Sequence, residues 1–195
     1  MTPSPDDADI CAMRRLRGGD DLALNEIMDR WERRLIAFLL RYTGNEAMAV
    51  DLAQETFVRV YENRGRYEAR AAFSTWLFAI ATNQARQYYR WQKRHPVFSL
   101  DAELENSDGK SAAARLSADG DDPRDATLRE EKARLVRECV LALPDDLREA
   151  VILSEYEEFS HREIARIAGC TPKAVETRLY RARAILREKL ARFLR

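Results

Sequence analysis

Apolar positions recur at steps of three and four along most of the chain, and no stretch alternates with period two. Leu24, Met28, Trp31, Leu35, Phe38 and Tyr42 mark the inward stripe of one amphipathic helix, interrupted at Gly44 and Asn45. A second helix carries Ala49, Ala53, Phe57 and Val60 and ends near Asn63, Arg64 and Gly65. A third has Phe73, Trp76 or Leu77, Ile80 and Ala81, and runs on toward His95, where Pro96 stops it. The pattern returns with Leu135, Val136, Val140 and Leu143, closed by Pro144, and again with Leu147, Val151 and Ile152. A short helix on Ile164, Ala165 and Ile167 then leads through Gly169 and Cys170 to a last helix. There Thr171 is a good N-cap, Pro172 takes the first helical position, and Val175, Leu179, Ala182, Leu186, Leu190 and Phe193 line one face. An all-α protein is predicted.

Between the two helical runs the periodicity fails. Residues 99–125 hold eight acids and three bases, with Gly109, Gly120 and Pro123 and no aromatic. Such a segment cannot bury enough surface to offset its ordering entropy, and a structureless loop of that length is uncommon inside a compact domain. The expected organisation is two small helical domains, 10–96 and 128–195, joined by a flexible acidic linker over 97–127. Each domain is expected to have its own core.

Composition narrows the class. The 195 residues carry 33 basic and 33 acidic side chains, a net charge of zero that averages unlike pieces. Residues 86–94 hold four bases and no acid, and residues 171–195 hold eight bases and two acids. No apolar run exceeds six residues, so membrane insertion is not expected. The N-terminus, with Asp6, Asp7 and Asp9, lacks the basic start and apolar stretch of a signal peptide. Cys11, Cys139 and Cys170 are few and far apart, which fits a reduced, cytoplasmic setting. His95 and His161 have no cysteine or carboxylate at metal-ligand spacing, and no glycine-rich phosphate loop is present. Neither a metal, a cofactor nor an enzyme activity is expected.

Three segments carry the candidate chemistry. Residues 159–183 have the layout of a helix-turn-helix: a short helix, a turn at Gly169, and a capped helix with Lys173, Glu176, Thr177, Tyr180 and Arg181 on its polar side. A helix presented this way places its N-terminal polar residues in the major groove, while its basic excess attracts phosphate. Residues 83–94 interleave Asn83, Arg86, Arg90 and Lys93 with Tyr88, Tyr89 and Trp91. Cations beside flat rings suit single-stranded or opened DNA, although the residues alone leave an ordinary solvated face equally open. Asp51, Gln54 and Glu55 share the face opposite Ala53 and Phe57, and could dock a basic partner or simply meet solvent.

Taken together, DLAQETF at 51–57, FSTWLFAIATN at 73–83 and AVETRLYRAR at 174–183 resemble the extracytoplasmic-function (ECF) group of sigma factors in the sigma-70 family of bacterial RNA polymerase. The resemblance covers about residues 20–95 and 130–194. It implies a protein that binds core polymerase through the β′ clamp helices and the β flap, opens the −10 promoter element with its first domain and grips the −35 element with its second. On this resemblance Asp51, Gln54 and Glu55 would bind the clamp. Arg64 and Arg66, in a loop running to Phe73, would flank the captured −10 base, with Asn83, Arg86, Arg90 and Lys93 on base and backbone. Lys173, Glu176, Thr177, Arg178 and Arg181 would meet the −35 element, where Glu176 replaces the Arg of some relatives. An anti-sigma factor is the expected regulatory partner, and no appended C-terminal regulatory module is expected. A stand-alone helix-turn-helix regulator is the alternative, but it leaves the first two segments without a role.

Overall fold

The computed structural model describes residues 5–69, 72–94 and 123–191, which form helices and no strand. In chain order they are α1 (Pro5–Arg17), α2 (Leu22–Thr43), α3 (Glu46–Glu62), α4 (Phe73–Arg94), α5 (Pro123–Leu141), α6 (Asp145–Val151), α7 (His161–Ala168) and α8 (Pro172–Ala191). A 3-10 turn at Arg64–Arg66 follows α3, and a π-helical turn at Ile152–Tyr156 extends α6.

The punctuation is local chemistry. Gly44 ends α2 with φ +73°, a left-handed conformation that glycine adopts without a Cβ clash, and its N–H bonds the Leu40 carbonyl at 2.8 Å. The Asn45 side chain then accepts from the Met48 N–H at 2.9 Å and starts α3. In the C-terminal half, the Ser160 side chain accepts from the Glu163 N–H while the Glu163 carboxylate accepts from the Ser160 N–H, a reciprocal cap on α7. Gly169, at φ +65°, closes α7, and the Thr171 hydroxyl caps α8 by accepting from the Ala174 N–H at 3.2 Å.

Helix α1 lies ahead of the first stripe that the periodicity reveals. Ala12, Met13 and Leu16 are buried, and the buried Asp9 receives Arg30 Nε at 2.8 Å and Trp31 Nε1 at 3.0 Å from α2. The start of α2 is consequently rotated: Ala23 and Ile27 are buried, whereas Leu24 and Met28 are only partly so. From Trp31 onward the expected stripe holds, and on α3 Ala49, Ala53, Phe57 and Val60 all point inward. Trp31, Phe38, Tyr42, Phe73 and Phe78 pack as tilted and edge-to-face rings with centroids 5.0–6.3 Å apart, a favourable geometry for their quadrupoles.

Two expectations are corrected. Helix α5 begins at Pro123, inside the segment read as linker, because a proline suits the first helical position. Residues 97–122 of that segment lie outside the described residues. The two halves also do not keep separate cores: their buried side chains form one continuous cluster. Phe78 of α4 meets Phe159 edge-on at 5.1 Å. A Cβ on Gly44 would stand 2.9 Å from Leu141 Cδ1, so α5 presses on the end of α2 where only glycine leaves room.

The reciprocal cap on α7 generates a prediction. Ser160→Ala should lower unfolding free energy by about 1 kcal/mol, the usual cost of losing an N-cap. Urea denaturation followed by far-UV circular dichroism measures it, and no change would show that the cap contributes nothing at this exposed site.

Candidate nucleic-acid interface and docking faces

Helix α8 presents its first two turns outward. Val175 and Leu179 are buried against the rest of the C-terminal half, which leaves Lys173, Glu176, Thr177, Tyr180 and Arg181 exposed. Tyr180 is 77% exposed, a large ring that nothing in the fold covers. Lys173 Nζ lies 2.8 Å from Glu176 Oε2, and this contact holds the Glu176 carboxyl below its usual range. Arg178 is turned the other way. Its Nε is 3.5 Å from the Asp146 carboxylate and its Nη1 3.7 Å from Cys170 Sγ, on the side facing α6.

On α3, Asp51 and Gln54 are exposed, while Glu55 is half-buried and engaged by Arg59 at 2.9 Å and Gln84 at 3.2 Å. Val58, 49% exposed, falls on the same face. Acids ringing an exposed aliphatic side chain make a surface suited to a protein partner, which solvated charge alone would not. The spacing 51, 54, 58 carried that signal in the sequence, but reading for charge alone passes over the valine.

A groove of about 370 Å³ runs between α3 and α4, lined by Arg59, Asn63, Ile80, Asn83, Gln84 and Gln87. A smaller one of about 170 Å³ lies between α1 and the turn after α3, and is lined in part by Arg14, Arg17, Arg64 and Tyr67. Arg64 is fixed there: its guanidinium lies 4.2 Å from the Tyr61 ring centroid and donates to the Tyr61 carbonyl at 2.8 Å, whereas Arg66 is exposed. The interleaved rings of α4 separate. Trp91 is 49% exposed, but the Tyr89 hydroxyl donates to the Tyr42 carbonyl at 3.0 Å inside the fold.

The cations of α4 divide in the same way. Asn83 and Arg90 face outward. Arg86 grips Glu149 of α6 with two charge-assisted bonds of 2.8 and 2.7 Å and also reaches the Ala168 carbonyl at 3.2 Å. Lys93 lies 2.8 Å from Asp145. Burial pushes the Glu149 carboxyl up, against the opposing pull of Arg86. Burial also works against the Arg86 charge, and the bond to Glu149 offsets it. Periodicity could place Glu149 on a helix but could not reveal this partner, 63 residues away.

Among the described residues no group of histidine, cysteine or acid side chains could hold a metal ion. No helix there is long and apolar enough to cross a membrane, and all three cysteines are free.

Comparison with known proteins gives two family matches. Residues 27–95 match sigma-70 region 2, and residues 133–186 match sigma-70 region 4. An ECF RNA polymerase sigma factor of Bacillus subtilis, SigW, is 34% identical over 178 residues, covering 91% of this chain and 94% of its own. The ECF RNA polymerase sigma-E factor of Escherichia coli K12 is 32% identical over 189 residues and 96% of each chain. Among solved structures, RpoE bound to the anti-sigma factor NepR from Bartonella quintana superposes with a TM-score of 0.61 at 26% identity, over 86% of this chain and 96% of that one. CnrH in complex with the cytosolic domain of CnrY shares the fold, with a TM-score of 0.67 at 24% identity over 94% and 97% of the two chains.

Proposed function

The chain belongs to the ECF group of sigma factors in the sigma-70 family, and on that footing we propose the residues through which it works. It is an RNA polymerase sigma factor: it binds core polymerase, directs promoter recognition and opens the −10 element to start transcription. A stand-alone regulator would not carry region 2, which matches here in full helical context. The bond chemistry of transcription belongs to the polymerase core, and the sigma factor contributes binding energy. Its place of action is the cytoplasm, with the polymerase.

The observation that carries the residue assignment is the face of α3. Asp51 and Gln54 are exposed beside Val58, which suits docking of the basic clamp helices, with Glu55 already shared with Arg59 and therefore a secondary contact. In the −10 half, Asn83 lines the α3–α4 groove and takes the captured base, with Arg64 and Arg66 flanking it and Arg86, Arg90 and Lys93 along the backbone. A pocket of this kind must bind an extruded base well enough to offset a few kcal/mol of unstacking. In the −35 half, Glu176, Thr177 and Arg181 are offered to base edges and Lys173 to phosphate. Arg178, bent toward Asp146, contributes once that contact is released. The likeness to sigma factors solved with anti-sigma factors supports an anti-sigma partner for this chain as well.

Two experiments test this reading. Purified chain added to core polymerase should yield promoter-dependent runoff transcripts, and Asp51→Lys should weaken core binding by roughly tenfold or more, with helicity unchanged and the loss smaller at high salt. Core affinity equal to wild type would mean that the α3 face is only a solvated surface.

Glu176 supplies the second. A carboxylate repels phosphate but can accept a hydrogen bond from cytosine N4. Glu176→Ala should therefore reduce discrimination at one −35 base pair by about tenfold, while affinity for unrelated DNA holds or rises. Binding assays against all four bases at each position decide it. An unchanged base profile would leave Glu176 as no more than the partner of Lys173.

A further inference from the structure

The contacts between the two halves follow one rule of charge. Residues 1–94 contribute cations, and residues 123–191 contribute acids. Arg34 Nε meets Glu157 Oε2 at 2.7 Å and its Nη2 donates to the Glu157 carbonyl at 2.8 Å. Arg41 stands 3.8 Å from the same carboxylate. Arg86 meets Glu149 and Lys93 meets Asp145, as described above. Arg148 is the exception, a buried cation of the C-terminal half that donates to the Tyr42 carbonyl at 3.0 Å and the Tyr89 hydroxyl at 2.9 Å.

This seam is built to part. Glu149 and Glu157 are both buried, burial pushes the Glu149 carboxyl up, and the buried Arg148 Nε has no hydrogen-bond partner. Groups of this kind recover hydration when the halves separate, so the closed arrangement gains less from its ion pairs than an apolar seam gains from contact. A permanent core has no use for such groups. The closure is also selective. It covers Arg86 and Lys93 on α4, and it leaves Lys173, Glu176, Thr177 and Arg181 of α8 exposed.

We propose that the described packing is a closed state of the free sigma factor in which Glu149 and Asp145 occupy the α4 cations that would meet −10 DNA, with Glu157 on Arg34 holding the halves together, while the −35 reading helix stays accessible. This rests on the assignment of α4 to the −10 element. Carboxylates stand where phosphates would, so closure and −10 binding exclude one another. The free chain is then able to engage a −35 duplex but refuses a −10 single strand until the seam opens.

The test uses the full chain without core polymerase. Fluorescence anisotropy measures its affinity for two probes taken from a promoter mapped by runoff transcription: a single-stranded non-template −10 oligonucleotide and a −35 duplex. The double substitution Glu149→Gln with Glu157→Gln should enlarge the radius of gyration in small-angle scattering. If the wild-type chain is nine-tenths closed, opening it should tighten −10 binding by about tenfold. Binding of the −35 duplex should not change, which also reports that the variant is folded. Asp145→Asn, at a more exposed pair, should move −10 affinity in the same direction by less.

An enlarged chain with unaltered −10 affinity would overturn the proposal. So would dimensions unmoved by both variants, since the acids would then not hold the halves together. Intact core-dependent transcription alongside either result would leave the sigma-factor reading standing, whereas absent transcription and no binding of either probe would remove that reading itself.

Discussion

Everything in the molecule hangs on the two faces of α4. One face is fixed by burial: Phe73, Leu77, Phe78, Ala81 and Ala85 are fully enclosed, and their spacing leaves no rotational freedom to the helix. A helix held that firmly by its apolar stripe must present whatever lies on the other side, here Asn83, Arg86, Arg90 and Lys93, in a set order along its length. Small residues make this possible. Ala81 and Ala85 let α4 approach its neighbours closely, and the aromatic rings of α2 fill the space between. The geometry of the candidate −10 surface is thus a consequence of core packing.

The same fixed helix explains why the second half docks as it does. Phe78 leaves the core pointing toward Phe159, and Arg34 stacks between them, 5.5 and 5.8 Å from the two ring centroids. The guanidinium covers apolar ring faces and binds Glu157 at once, which a lysine could not do with equal geometry. The π-helical turn before Glu157 and the positive φ of Glu158 bring that carboxylate to the seam and let the chain reverse into α7. A regular α-helical end would aim the carboxylate elsewhere.

Much of this was legible in the sequence, and the boundary of legibility is physical. Periodicity marks where a helix buries a face, so α3 and the helix-turn-helix stand out, down to the Thr171 cap and Pro172. It is weaker where a helix is short and buries its face against only one neighbour. That is why α1, whose inward residues are Ala12, Met13 and Leu16, escaped notice despite an acidic first turn and basic last turn suited to the macrodipole. Charge is the least legible feature. Arg86 and Arg90 look equivalent in sequence, yet one is bound to Glu149 and the other faces outward, because partners distant in sequence leave no local trace.

The zero net charge takes on meaning in this light. A chain that must bind nucleic acid would ordinarily show its basic excess as an overall field, drawing it to any phosphate backbone. Here cations and acids lie on opposite sides of one seam, so in the closed arrangement they neutralise each other at distances below 3 Å, well within the Debye length at physiological salt. Separation changes no total charge, but it moves carboxylates away from Arg34, Arg86 and Lys93 and raises the local positive potential where single-stranded DNA would lie. The far field barely changes, because both halves remain in one chain. A protein arranged in this way can pass through a cell full of nucleic acid with little non-specific attraction, and concentrate its charge on α4 only after a partner has drawn the halves apart.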